Sequence, residues 1–232
     1  MENLVENISK SVAIELLFEE MPTRPTANAI FREARKIFGD INIINRDEND
    51  IEFSVDKFVA YNEDNTTSPV VLAMGNITDF DDKVAVSEFE RTQIWNVANS
   101  EELLSKYKYA VKIWDVNAQR QIPKERAIML VDWLNVALKL YPKCQAIWIK
   151  SAGKLQLAQS IKNLKETGIV KYLYSMVNIR FFNVPNTNEF IVDSVGLANI
   201  GLSDVQFHFK GMNPNKIANL AYSLARYILN ND

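Results

Sequence analysis

Apolar positions along the chain fall into short runs that alternate in twos, separated by stretches that repeat near 3.6. These are the periods of strands and helices. Val12–Phe18 (VAIELLF) predicts a strand, and Pro22 and Pro25 then break the chain. Ala27, Ile30, Ala34, Ile37 and Phe38 share one helical face, with Gly39 placed to end the helix in a left-handed conformation. Ile41–Ile44 and Ile51–Val55 flank an acidic polar tip and predict a hairpin. A polar loop, Tyr61–Ser68, leads to a strand over Pro69–Ile77. Thr78–Arg91, with Asp79, Asp81, Asp82, Glu88 and Glu90 among scattered apolar residues, reads as a linker or crossover.

Beyond it, strands are expected at Thr92–Val97, Tyr109–Val116, Gln145–Lys150, Ser175–Val184, Glu189–Asp193 and Val205–Lys210. Ser100 as N-cap, with Glu101 and Glu102 as an acidic first turn, predicts a helix. Pro123 opens and Pro142 closes a long helix that turns Ala127, Leu130, Val131, Leu134 and Leu138 inward. Leu157, Ile161 and Leu164 mark another helix before Gly168. The last helix has Asn213 as N-cap, Pro214 at its first position and an inward stripe of Ile217, Leu220, Ala221, Leu224 and Ile228.

The tight Asn186–Asn188 connection implies antiparallel pairing, so the expected class is α+β. Two halves, 1–80 and 81–232, are expected to form one compact unit. Each has a mixed or antiparallel sheet of ferredoxin-like type, stacked sheet to sheet with helices on the outer faces.

Composition narrows the chemistry. Of 232 residues, 47% are hydrophobic and 24% charged, and 26 basic against 29 acidic residues leave a net charge of −3. This is a globular composition with no global attraction to nucleic acid or anionic lipid. One Cys excludes an internal disulfide, and with one His the Cys/His sets of structural zinc sites are missing. No run approaches the roughly 18 apolar residues of a membrane span, and the start, MENLVENISKSVAIELLF, is acidic where a signal peptide is basic. A cytoplasmic location is expected, with no metal and no cofactor.

Any Ser-His or Cys-His catalysis would have to use His208, the only His, and neither Ser151 nor Ser194 sits in a G-x-S-x-G elbow. Seven Gly form no phosphate-cradling pattern, and the 79–82 acidic cluster lacks the framework of a calcium loop.

Period-two alternation is more informative. It places Ile147, Ile149, Val177, Ile179, Phe181, Val205, Phe207 and Phe209 on an apolar face. The opposite face collects Lys112, Trp114, Trp148, Lys150, Asn178, Arg180, Gln206, His208 and Lys210, with Gln93 and Trp95 joining. Either the other half covers this face, burying Trp114 and Trp148, or it binds an acidic partner protein or a small anionic ligand. The expectation combines both: the Trp residues buried, and Arg180 and His208, near Gln206, at the mouth of a crevice between halves. The competing expectation is a small hydrolase or transferase with His208 as acid or base. An RNA-binding sheet is disfavoured by the absent RNP signature and the negative charge.

Asp193–Pro214, DSVGLANIGLSDVQFHFKGMNP, resembles the C-terminal signature of the bacterial family domain of unknown function 4261. The matching residues are Gly196, Leu197, Gly201, Leu202, Asp204, Gln206, His208, Phe209, Gly211 and Pro214. Ser203 stands where that family often has Pro. Gln93, Trp95, Lys112–Val116 and Gln145–Lys150 fit the same layout, and residues 1–80 match it loosely. The resemblance implies a shared fold, draws attention to His208 and carries no activity. The glycines of the signature are explained by backbone shape.

Overall fold

The computed structural model describes residues 11–47 and 49–231, so the leader up to Lys10 lies outside the described residues. Among the described residues ten strands and eight α-helices follow in the order β1 (Ala13–Phe18), α1 (Ala27–Phe38), β2 (Ile41–Arg46), β3 (Ile51–Tyr61), β4 (Thr67–Asp79), α2 (Asp82–Ala85), α3 (Glu88–Thr92), α4 (Ser100–Lys106), β5 (Tyr109–Val116) and α5 (Pro123–Leu140). Then come β6 (Ala146–Ile149), β7 (Lys154–Leu157), α6 (Ala158–Asn163), α7 (Gly168–Met176), β8 (Asn178–Asn183), β9 (Glu189–Val195), β10 (Gln206–Lys210) and α8 (Pro214–Asn231). The class is α+β. A seven-stranded sheet runs β2-β3-β4-β5-β1-β6-β7, and a second sheet of three runs β10-β9-β8, all paired antiparallel.

The large sheet crosses residue 80 without a break. β4 pairs with β5, and β1 is inserted between β5 and β6. The expected sheet-to-sheet stacking of halves is therefore not what the chain does; strands from both sides of residue 80 lie edge to edge. Period-two patterning sets which side chains share a face, but it carries no information on which strand lies beside which.

On one face Ile14, Leu16, Phe18, Val111, Ile113, Ile147 and Ile149 pack under α1 and α5, and this core continues without interruption to α7, α8 and the small sheet. Trp133 of α5 anchors it, packed on Phe53 and Phe38, with its indole N–H donating to the Ala73 carbonyl at 3.2 Å. A buried Arg126–Asp115 ion pair, 2.8 Å long, ties α5 to β5, and Asp115 also accepts the Val12 N–H at 2.5 Å.

The opposite face of β1, β6 and β7 is covered by the Thr78–Arg91 stretch read as a linker together with the residues that follow it, up to Tyr107. Phe80, Val86, Ile94, Val97, Leu104 and Tyr107 form a second cluster on Leu17, Ala146, Trp148 and Leu155. Thr92–Val97 is accordingly not a strand: its apolar residues press on a sheet face rather than pairing at an edge.

Three other expectations are revised. Lys154–Leu157 is a strand and Gly168–Met176 a helix, so Ser175 and Met176 end a helix before β8 begins. Asn99, left-handed at φ 55°, precedes α4, and Ser100 is its first residue. The inward stripe of α8 is Ile217, Ala221, Ala225 and Leu229; Leu220, 49% exposed, and Leu224 face outward. Small residues hold α8 close to the sheet, a choice that the hydrophobic period alone does not reveal.

Candidate functional site

The expected basic-aromatic face is divided between the two sheets. Trp114 and Trp148 do share a face of the large sheet, across from Ala13 and Glu15 of β1. Trp148 is fully buried, and the 80–107 segment covers it. Trp114 is half-buried, with the Lys112 ammonium 5.1 Å from its ring centroid. Beside them burial pushes the Glu15 carboxyl up from its ordinary value, against the pull of Lys112 and Lys150.

Arg180, Gln206 and His208 belong to the small sheet. Arg180, Asp193 and Gln206 form one cross-strand row and Phe182, Ile191 and His208 the next, so Arg180 and His208 lie on the same face. That face is the one turned away from the aromatic trio Phe181, Phe190 and Phe209, which joins the main core. His208 and Gln206 are exposed on the edge strand β10; the His208 ring accepts or donates at Nε2 across 2.8 Å to Glu189. With its side chain 57% exposed, His208 lines no recess beside Arg180, so the expected pairing of these two at a crevice mouth is corrected.

Arg180 itself does line a crevice. The small sheet meets the large one at a seam between β8 and β7, and few groups cross it. Asn178 donates to the Gly153 carbonyl at 2.9 Å, the Lys154 ammonium to the Val177 carbonyl at 2.5 Å, and the Phe181 N–H to Gln93 Oε1 at 3.3 Å. Side chain to backbone bonds thus bridge the seam where paired strands would otherwise bond backbone to backbone.

Two recesses open along this seam. The first, about 330 Å³, is bounded by α3 and the loop after it, by the Lys150–Gly153 turn and by Arg180. Its cation is held rigidly: Arg180 grips Asp193 with Nε at 2.9 Å and Nη2 at 2.5 Å, and its guanidinium stacks near Phe182 and Phe89 at 5.2 and 6.0 Å. The two Phe rings stack on each other at 6.0 Å. Glu90, also in this lining, is occupied by the capping box of α3, where it accepts from the Ser87 N–H and hydroxyl.

The second recess, about 310 Å³, begins one or two residues along each of the same segments. The loop brings Trp95 and Asn96, β8 brings Asn178, and α8 brings Asn215, Asn219 and Tyr222. Lys154 lies in its wall, 3% exposed, and burial alone pulls its ammonium down to about 7. Burial pushes Tyr222 up to about 12. Lys154 is the residue that sequence reading missed. A Lys in a four-residue strand alternating with Leu155 and Leu157 reads as the solvent side, and only the arrival of α7 and β8 buries it.

The signature segment is built for shape. Asp204 gathers the loop after β9, accepting from Ser194 Oγ at 2.8 Å and from the N–H groups of Gly196, Leu197 and Ala198 at 3.3, 3.0 and 3.3 Å. Gly196 adopts φ 134°, where a Cβ would stand 2.7 Å from the Met176 carbonyl. Tyr172 donates to the Gly196 carbonyl from below at 2.7 Å. Among the described residues no cluster of His, Cys, Asp and Glu is placed to hold a metal ion.

No curated protein and no solved structure matches the chain. Residues 193–232, which run from the end of β9 through β10 and α8, match the model of the family described as Domain of unknown function (DUF4261), the family that the signature resembles.

Proposed function

We propose that this protein is a binding protein whose ligand is a small anion held in the seam between its two sheets. One observation carries the reading. In a chain of net charge −3, the two recesses are lined by Lys150, Lys154 and Arg180; Asp193 pairs with Arg180 and Glu90 is engaged in the α3 capping box, which leaves Lys150 and Lys154 with no carboxylate at ion-pair distance among the described residues. A local excess of positive charge in a concave, partly apolar cleft favours anions that bulk water would otherwise hold. The exposed His208–Glu189 pair lies outside that cleft and does not favour the hydrolase or transferase reading.

A bacterial, cytoplasmic setting belongs to the same proposal. It rests on the family resemblance and on a composition with a single, buried Cys144.

Thermal unfolding in 10 mM phosphate, citrate, N-acetylglycine or adenosine monophosphate, beside uncharged analogues, tests the reading. At least one anion is expected to raise Tm, with the rise fading in 0.5 M NaCl. No shift from any of the four would overturn it.

A further inference from the structure

The two recesses treat their cations differently, and the difference names a ligand class. Arg180 comes with its own counter-charge, Asp193, in a two-point grip. Lys154 has none: its ammonium reaches the Val177 carbonyl, and among the described residues no carboxylate lies within ion-pair distance of it. A buried cation without a counter-ion is costly to keep, and the protein answers by loosening the proton. The rest of the wall is four asparagine amides, the apolar Ile179 and Ala218, and two aromatic side chains, Tyr222 and Trp95, the latter 51% exposed.

We propose that the Lys154 recess is a carboxylate site: a small monocarboxylate seats its anionic end on the Lys154 ammonium, and its neutral polar remainder meets the asparagines and Trp95. This rests on the anion-binding reading and deepens it. A single negative charge matches a single buried cation, whereas a phosphate monoester would bring up to about two charges into a wall that balances one. The four amides of Asn96, Asn178, Asn215 and Asn219 offer donors and acceptors to an amide or hydroxyl on the rest of the ligand. Asn96 already donates to the Leu155 carbonyl and Gln156, and Asn178 to Gly153, so both present their side-chain oxygens in fixed positions.

Binding then takes up a proton. The groups that face Lys154 leave this linkage legible: Trp95 and Asn96 from the loop, Asn178 from β8, the Val177 carbonyl after α7, and Asn215, Asn219 and Tyr222 from α8. Tyr222, which burial pushes up to about 12, stays neutral through the range that matters.

Calorimetric titration with N-acetylglycine and its neutral counterpart N-acetylglycinamide, at pH 6.5 and 8.5, tests the site. The acid is expected to bind, at least tenfold more weakly at pH 8.5 than at 6.5, and the amide at least tenfold more weakly than the acid at pH 6.5. Lys154→Met should lose at least tenfold in affinity while Arg180→Ala stays within twofold. If Lys154→Met does not fold, Asn219→Ala, on an exposed turn of α8, should weaken binding several-fold. Equal binding of acid and amide, a flat pH response, or full affinity in Lys154→Met would overturn the proposal. Loss of binding in Arg180→Ala alone would move the anion to the first recess, ending this proposal and leaving the seam reading intact. No binding of either probe to the wild type would end the carboxylate site, while the panel of other anions still decides the wider reading.

Discussion

Arg126 and Lys154 are the two most deeply buried cations among the described residues, and they are built in opposite ways. Arg126 sits under the large sheet with Asp115 beside it, both at zero exposure, and the same carboxylate fixes the start of β1 through the Val12 N–H. Lys154 sits at the seam with a carbonyl and, among the described residues, no acid. The first arrangement completes its own charge balance within the fold and serves as a fastener. The second leaves a charge that no carboxylate among the described residues balances. On the proposed reading, the presence or absence of a paired carboxylate separates scaffold from site.

Substitutions can break this contrast, and the largest effect is expected in the core. Asp115→Ala leaves the Arg126 guanidinium buried without its acid, so it should cost about 3–5 kcal/mol in a urea unfolding series. A loss below about 1 kcal/mol would mean that the pair is no fastener. Lys154→Met should act in the other direction. Replacing an ion that burial disfavours with an apolar side chain of similar length should stabilise the protein by roughly 1–4 kcal/mol at pH 6, less whatever the lost bond to Val177 contributes.

The sign of its pH dependence follows from proton counting. The folded amine titrates at about 7 and the unfolded one near ~10.4. Between those values the unfolded chain holds the extra proton, so wild-type stability rises with pH through that window. The advantage of Met is full below pH 7 and disappears towards pH 10. Unfolding midpoints at pH 6 and 9 that shift in parallel for the two proteins would contradict it.

Smaller effects sharpen the comparison at the surface. Arg180 and Asp193 are partly exposed, so Arg180→Ala should cost about 1 kcal/mol or less by thermal unfolding despite the two-point geometry. A cost as large as that of Asp115→Ala would turn Arg180 into a second fastener. Leu220→Asp is expected to be the mildest, within about 0.5 kcal/mol, because Leu220 faces outward from α8. A severe effect would restore the inward stripe that hydrophobic spacing suggests.

How much of this could be read from the sequence follows from what each signal reports. Local period and punctuation located β1, α1, the β2–β3 hairpin, β5, α5 and α8, since Pro, Gly39 and alternating apolar residues act over a few positions. Strand neighbours were not legible: β1 inserts between β5 and β6 across more than a hundred residues, and no local residue records that pairing. The face shared by Trp114 and Trp148 was legible from alternation, as was the shared face of Arg180 and His208, but their division between two sheets was not. Thr78–Arg91 looked like a linker because its acids are frequent, and Thr92–Val97 like a strand, although Phe80, Val86, Ile94 and Val97 are what cover Trp148. Lys154 escaped notice because burial imposed by α7 and β8 leaves no mark on a four-residue strand.

The central claim is that the seam holds a cation for which no described residue provides a counter-charge. The most direct measurement is a carbon-13 NMR titration of the Lys154 ε-carbon in the ligand-free protein, assigned by its absence from Lys154→Met. The account predicts a midpoint near 7, well below those of the exposed lysines, and an upward shift when N-acetylglycine is added. A midpoint at about 10, among the surface lysines and unmoved by the carboxylate, would contradict it.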